Sequence, residues 1–152
     1  MSHSSQHVVV PVEPDGELLA VQRAAYLVEA ALIGSDAIPG LHDTLPTLAA
    51  ARLDWFGVRD GSGLLGAVGV TRQAGVLDID RLVVAPRAFR QGVGTALVRH
   101  AIALADGDVT VSTGRANTPA RALYHRCGFL VQRHVEVEPG LWVTTYRRPS
   151  GG

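Results

Sequence analysis

The sequence predicts a single α/β (α+β) domain in which strands and helices are interleaved. Three observations carry that expectation. The apolar spacing switches repeatedly between a period of two, which suits a strand, and one of about 3.6, which suits a helix. Short clusters of Gly, Pro, Asn and Asp punctuate the periodic stretches. The chain has 152 residues, 47% of them hydrophobic, which is enough for one sizeable core, and no repeat or long linker divides it.

The elements follow in order. Residues 1–7 are polar and read as a disordered tail, residues 8–148 as the domain, and residues 149–152 as a second tail. Residues 8–12 form the first strand. A helix begins near Glu17, capped by Asp15 or Gly16, carries Leu18, Leu19, Ala25, Tyr26, Ala30 and Ile33, and ends at Gly34. Residues 35–44, with Pro39 and Gly40, are a loop. A second helix runs from Thr44 or Pro46 to Leu53, with its proline tolerated in the first turn.

Strands over 55–59 and 64–72 flank the turn Asp60-Gly61-Ser62-Gly63. A turn at Gln73-Ala74-Gly75 leads into a strand over 76–84. Val93, Leu97, Val98, Ile102 and Ala103 mark a helix over 92–105, closed by Asp106-Gly107-Asp108. A strand over 109–113 and a helix over 119–127 come next. Strands over 129–138 and 141–148, around Glu138-Pro139-Gly140, complete the chain.

Composition excludes several classes of function. Fourteen basic and fourteen acidic side chains cancel, which argues against a nucleic-acid partner. No apolar run approaches the roughly 20 residues of a membrane span, and the polar start lacks the core of a signal peptide. A single cysteine cannot form an internal disulfide, so the cytoplasm is the expected setting. No His, Cys or Asp spacing points to a metal, and Cys127 reads as a small buried residue.

The most informative stretch is residues 82–98. A β-branched run, Leu82-Val83-Val84, is followed by Pro86, the basic Arg87 and Arg90, the glycines Gly92 and Gly94, and an amphipathic segment. That is a buried strand feeding a glycine-rich turn that opens a helix. A helix start carries unpaired N–H groups and the positive end of the peptide dipoles, and glycine lets a ligand come close. Together these suit phosphate. The P-loop is excluded because no Gly-Lys-Ser/Thr follows, and the dinucleotide fingerprint lacks its third glycine. Taken alone, the stretch fits an ordinary connection as well as it fits a phosphate cradle.

A second segment decides between them: Asn117-Thr118-Pro119-Ala120-Arg121-Ala122-Leu123-Tyr124-His125-Arg126-Cys127-Gly128-Phe129. In this order and spacing the two segments resemble the acetyl-CoA-dependent N-acetyltransferases of the GNAT superfamily. The first matches V-x-P-x-x-(Q/R)-x-x-G-x-(G/A), departing from it at Phe89. The second matches N-x-x-A-x-x-x-Y-x-x-x-G-F. The resemblance implies a mixed, mainly antiparallel sheet flanked by helices on both faces. It also implies acetyl-CoA as acetyl donor, with direct transfer to a primary amine on a small molecule, peptide or protein. A homodimer is a common habit of that family. A non-catalytic acyl-CoA-binding regulatory module of the same fold is the alternative.

The resemblance also assigns residues. The backbone of Leu82, Val83 and Val84 would run beside the pantetheine, with one N–H on the thioester oxygen. Arg90, Gln91, Gly92, Val93, Gly94 and Thr95 would hold the pyrophosphate. Asn117 would hydrogen-bond the pantetheine or its neighbouring backbone, although Asn before Thr-Pro is also a good helix cap. Tyr124 would be the general acid near the sulfur. A phenol, with an ordinary pKa of about 10, is protonated at neutral pH.

Asp78 and Asp80 are the candidate proton acceptors. Their spacing of two puts both on one strand face if no bulge intervenes. A solvated face, or a pairing of Asp80 with an arginine, explains them equally well. The next strand offers Ser112 and Thr113 where several family members carry a glutamate, which favours a water relay. Glu29, Asp36, Asp43 and Glu138 are acids that could attract a cationic amine. His100 is expected on the solvent side of its helix.

Overall fold

The computed structural model describes residues 7–151. Residues 1–6 of the expected first tail, and residue 152, lie outside the described residues.

Seven strands form one sheet: β1 (Val10–Pro11), β2 (Asp54–Asp60), β3 (Gly63–Gln73), β4 (Val76–Val84), β5 (Val109–Gly114), β6 (Leu130–Glu138) and β7 (Leu141–Arg148). Their spatial order is β1-β2-β3-β4-β5-β7-β6. Four helices accompany them: α1 (Gly16–Ile33), α2 (Leu45–Ala50), α3 (Val93–Leu104) and α4 (Thr118–Arg126). Every pairing is antiparallel except β4 with β5, where α3 supplies the crossover a parallel pair requires.

The sheet is covered on both faces. On one face Leu77, Ile79, Val109 and Val111 pack with Val93, Leu97, Val98 and Ala101 of α3 and with Leu123 and Tyr124 of α4. On the other, Leu64, Ala67 and Val83 pack with Leu18 and Tyr26 of α1 and Leu48 of α2. Removing this apolar surface from water, at about 25 cal/mol per Å², is the main force holding the layers together.

Two irregularities in β4 position the site. The first is its short parallel contact with β5, which runs only from Leu77↔Val109 to Ile79↔Val111. Residues 80–84 and 112–114 continue without pairing to one another, so the two strands fork. The second is a bulge. Gly69 pairs with Arg81 and Val70 with Ile79, leaving Asp80 without a partner on β3. Before the bulge the odd positions Leu77 and Ile79 join the α3–α4 core. After it the even positions Leu82 and Val84 pack there, while Val83 faces α1 and α2. The condition on Asp78 and Asp80 therefore fails, because the bulge falls on Asp80 itself.

Local signals set most element ends. The Asp15 side chain accepts from the Leu18 amide at 3.0 Å, and Gly34 closes α1 at φ 71°. Three expectations need correction. Helix α2 stops at Ala50 rather than Leu53, because Arg52 adopts a left-handed φ of 54° and turns the chain into β2. Strand β1 shrinks to two residues, although just past Pro11 the Val12 amide still donates to the Trp55 carbonyl at 3.1 Å. His100 does not face solvent. It lies three residues past Leu97, at the border of the buried stripe, with its ring 4.8 Å from Phe56 and its Nε2 buried without a partner.

Both chain ends find partners. The His7 Nε2 lies 2.6 Å from the Gln91 carbonyl oxygen, and the Ser150 amide donates to Asp108 at 2.7 Å. Among the described residues no helix is long and apolar enough to cross a membrane.

Candidate functional site

The site grows out of the link between β4 and α3. After Val84 the Ala85 amide is fixed to the Leu65 carbonyl at 2.8 Å, and one 3₁₀ turn, Pro86–Ala88, redirects the chain. Arg90 at φ 64° and Gly92 at φ 81° then both take left-handed backbone. For Gly92 this conformation is free of the Cβ clash a side chain would suffer. Gly92 is the N-cap of α3, with no side chain capping it. The first intrahelical bond runs from the Ala96 amide to the Gly92 carbonyl at 3.0 Å. The N–H groups of Val93, Gly94 and Thr95 therefore have no partner inside the helix.

These amides open onto a cavity of about 580 Å³. Of the residues expected to hold the cofactor, Leu82, Val84, Arg90, Gly92, Val93, Gly94, Thr95 and Asn117 line it. Two do not. The Val83 side chain is buried on the opposite face of the sheet. Gln91 is exposed, and its amide nitrogen donates to the Arg87 carbonyl at 3.2 Å. Asn117 caps α4 by accepting from the Ala120 amide at 3.3 Å, and its amide nitrogen donates to Thr113 at 3.4 Å. Gly94 lets α4 come close, since a Cβ there would stand 3.3 Å from Leu123 Cδ2.

Tyr124 lies behind the cavity wall. It shares a helix face with Asn117 and Ala120, which do line the cavity, at the i, i+3, i+7 spacing. Its ring packs 5.5 Å from Phe129 and 5.7 Å from Tyr146. Burial, reinforced by the charge of Glu29, pushes the phenol well above its ordinary pKa, so it stays protonated.

The two aspartates differ. Asp78 is half-buried and accepts from the Thr110 hydroxyl at 2.7 Å. Burial raises its pKa, the Thr110 bond opposes this, and the charge of Asp80 adds to it. Asp80 is exposed at the bulge, 4.0 Å from Arg81 Nε. The cavity also has walls that the motifs do not name: Arg126 from α4, and Tyr26 and Glu29 from α1. The sequence marks Tyr26 as part of the apolar stripe of α1 and Glu29 as an acid that could attract a cationic amine, but helical spacing does not say what either faces. Of the other acids of this region, Asp43 is paired with Arg81, and Asp36 is exposed, 3.7 Å from the His42 ring.

The donor set suits a diphosphate: uncapped amides, a helix dipole and two arginines in the cavity lining. The forked strand beside it offers backbone groups to an extended ligand. Among the described residues no group of His, Cys, Asp and Glu could hold a metal ion.

Known proteins are similar to this chain. The model of the acetyltransferase (GNAT) family matches residues 23–129. The UPF0157 protein YqkA of Bacillus subtilis (strain 168) is 35% identical over 132 residues, covering 86% of this chain and 38% of YqkA. The peptidyl-lysine N-acetyltransferase YjaB of Salmonella typhimurium is 33% identical over 84 residues, covering 55% of this chain and 54% of YjaB. The matched region thus spans little more than a third of one relative and about half of the other. The structure of YncA from Salmonella typhimurium with its cofactor acetyl-CoA has a TM-score of 0.71, covering 97% of this chain and 96% of YncA. At 14% identity that likeness is one of fold.

Proposed function

This chain belongs to the acetyltransferase (GNAT) family, and on that premise we propose that it transfers an acetyl group from acetyl-CoA directly to a primary amine. One observation carries the reading: a single cavity is lined by the uncapped start of α3 and by Leu82 and Val84 of β4, where that strand has left β5. Acetyl-CoA supplies an acyl group activated as a thioester. The amides of Val93, Gly94 and Thr95, with Arg90 and the backbone at Gln91 and Gly92, bind the diphosphate. The backbone of Leu82, Val83 and Val84, free of β5, lies beside the pantetheine and donates one N–H to the thioester oxygen. Asn117 orients the same arm from the other side.

The amine nitrogen bonds to the carbonyl carbon as the carbon–sulfur bond breaks. Tyr124 gives its proton to the departing thiolate, and the deep burial of the phenol keeps that proton available at neutral pH. Asp80, exposed at the fork, takes the proton lost by the ammonium, directly or through a water, with Asp78 behind it. The same reading includes a homodimer and, from the single cysteine, a cytoplasmic setting.

Isothermal titration with acetyl-CoA and thiol release across a panel of amines test the proposal. Binding together with amine-dependent thiol release is the expected result. Binding without release for any amine would leave an acyl-CoA-binding module instead. Gly92→Glu places a carboxylate in left-handed backbone at the diphosphate loop and should abolish acetyl-CoA binding. Unchanged affinity would overturn the loop assignment.

A further inference from the structure

The cavity carries both signs of charge: Arg90, Arg126 and the start of α3 bring positive charge to its lining, and α1 brings a carboxylate. We propose that Tyr26 and Glu29 form the subsite for the acceptor's ammonium group, and that the acceptors are cationic primary amines with no carboxylate beside the nitrogen. This rests on the acetyltransferase reading above and names its substrate class.

Helix α1 is held over the fork. A Cβ at Gly114, the last residue of β5, would stand 2.7 Å from Ile33 Cγ2, so the end of α1 lies directly against the end of that strand. This placement turns Ala25, Tyr26, Val28, Glu29 and Leu32 into the cavity.

Neither polar group of the pair is used by the fold. Tyr26 is only 6% exposed, and its hydroxyl has no hydrogen-bond partner among the described residues. Glu29 is half-buried with no hydrogen bond or salt bridge among the described residues, and burial alone raises its carboxyl pKa. Asp43, on the preceding face of the same layer, shows what a structural acid looks like here. It is bonded to Gln22, Thr47 and Arg81. Two polar groups side by side in a cavity wall, neither bonded to another side chain, mark a place for a ligand.

The ligand's chemistry follows. A carboxylate flanked by Ala25, Val28 and Leu32 and lacking a counter-charge favours an ammonium. The phenol oxygen beside it can accept a second N–H. Glu29 is the nearest strong negative charge at Tyr26, so its carboxylate would repel an acceptor carrying its own carboxylate next to the amine.

Matched pairs that differ only in that carboxylate test the proposal: tyramine against tyrosine and histamine against histidine, with Nα-acetyl-lysine amide as a further carboxylate-free amine. Wild-type kcat/KM, read by thiol release, should favour the carboxylate-free member by about tenfold or more. Glu29→Gln should narrow that preference with the loss falling on KM rather than kcat, and leave acetyl-CoA affinity by titration unchanged. Glu29→Asp should restore part of the preference. Equal efficiency within each pair, or an undiminished preference in Glu29→Gln, would overturn the subsite while leaving the transferase reading intact. Acetyl-CoA binding with no turnover of any amine by wild type would overturn both.

Discussion

At Tyr124 the ring is fixed by Phe129 and Tyr146, while the hydroxyl takes no part in that packing. Tyr124→Phe keeps the packing and removes only the proton donor. Turnover should fall by roughly 100-fold or more, with acetyl-CoA affinity and thermal stability nearly unchanged. Unaltered turnover would exclude the acid role. Asp108 behaves differently. The Ser150 amide and the Arg147 guanidinium bond its carboxylate and hold its pKa below the ordinary 3.8. A depressed folded pKa contributes stability that is present above the unfolded value and lost as pH falls through the folded one. Asp108→Asn should therefore lower Tm near neutrality, and the gap from wild type should close as pH falls below the ordinary carboxylate value of 3.8. A gap independent of pH in thermal melts would contradict this.

At the scale of elements, the bulge in β4 does the positioning. One unpaired residue, Asp80, lets Leu82 and Val84 face α3 and α4 while Arg81 and Val83 face α1 and α2. Bulges bend a strand and increase its local twist, which accounts for β4 leaving β5 after Ile79. Deleting Asp80 would leave a regular ladder with each remaining side chain on its present face. The deletion variant should therefore fold, with cooperative thermal unfolding, but with a straightened strand it should lose acetyl-CoA binding and turnover. Retained activity would show that the fork does not depend on the bulge. No point substitution at Asp80 tests this, because the extra residue remains.

Across the whole molecule, a polar network fastens the α1–α2 layer to the sheet. Gln22, fully buried in α1, donates to the Gly40 carbonyl at 2.8 Å and to Asp43 at 2.9 Å, and Arg81 of β4 bonds Asp43 and Gln22. The Arg81 and Asp43 side chains are 10% and 12% exposed. Removing one partner leaves the other as a buried, unpaired charge, so Arg81→Leu should destabilise the fold by about 3–5 kcal/mol. Adding Asp43→Asn should recover part of that loss in denaturant titrations. An additive double variant would mean that the two side chains are not coupled.

The strands, the helices and the two cofactor motifs were legible in the chain because their causes are local. The Asp15 and Asn117 caps, the left-handed Gly34 and Gly92, and the apolar periods each act within a few residues. Periodicity says that a face is covered but not by what. His100 therefore looked solvent-facing until Phe56 was placed beside it. The bulge at Asp80 exists only through pairing with Gly69 and Val70, and Tyr26 and Glu29 reach the cavity only because Ile33 seats α1 on Gly114. Sequence by itself determined the order of the elements and the glycine-rich turn that opens α3. Tertiary structure alone decided the fork and the α1 wall of the cavity, since both depend on contacts between residues far apart in the chain.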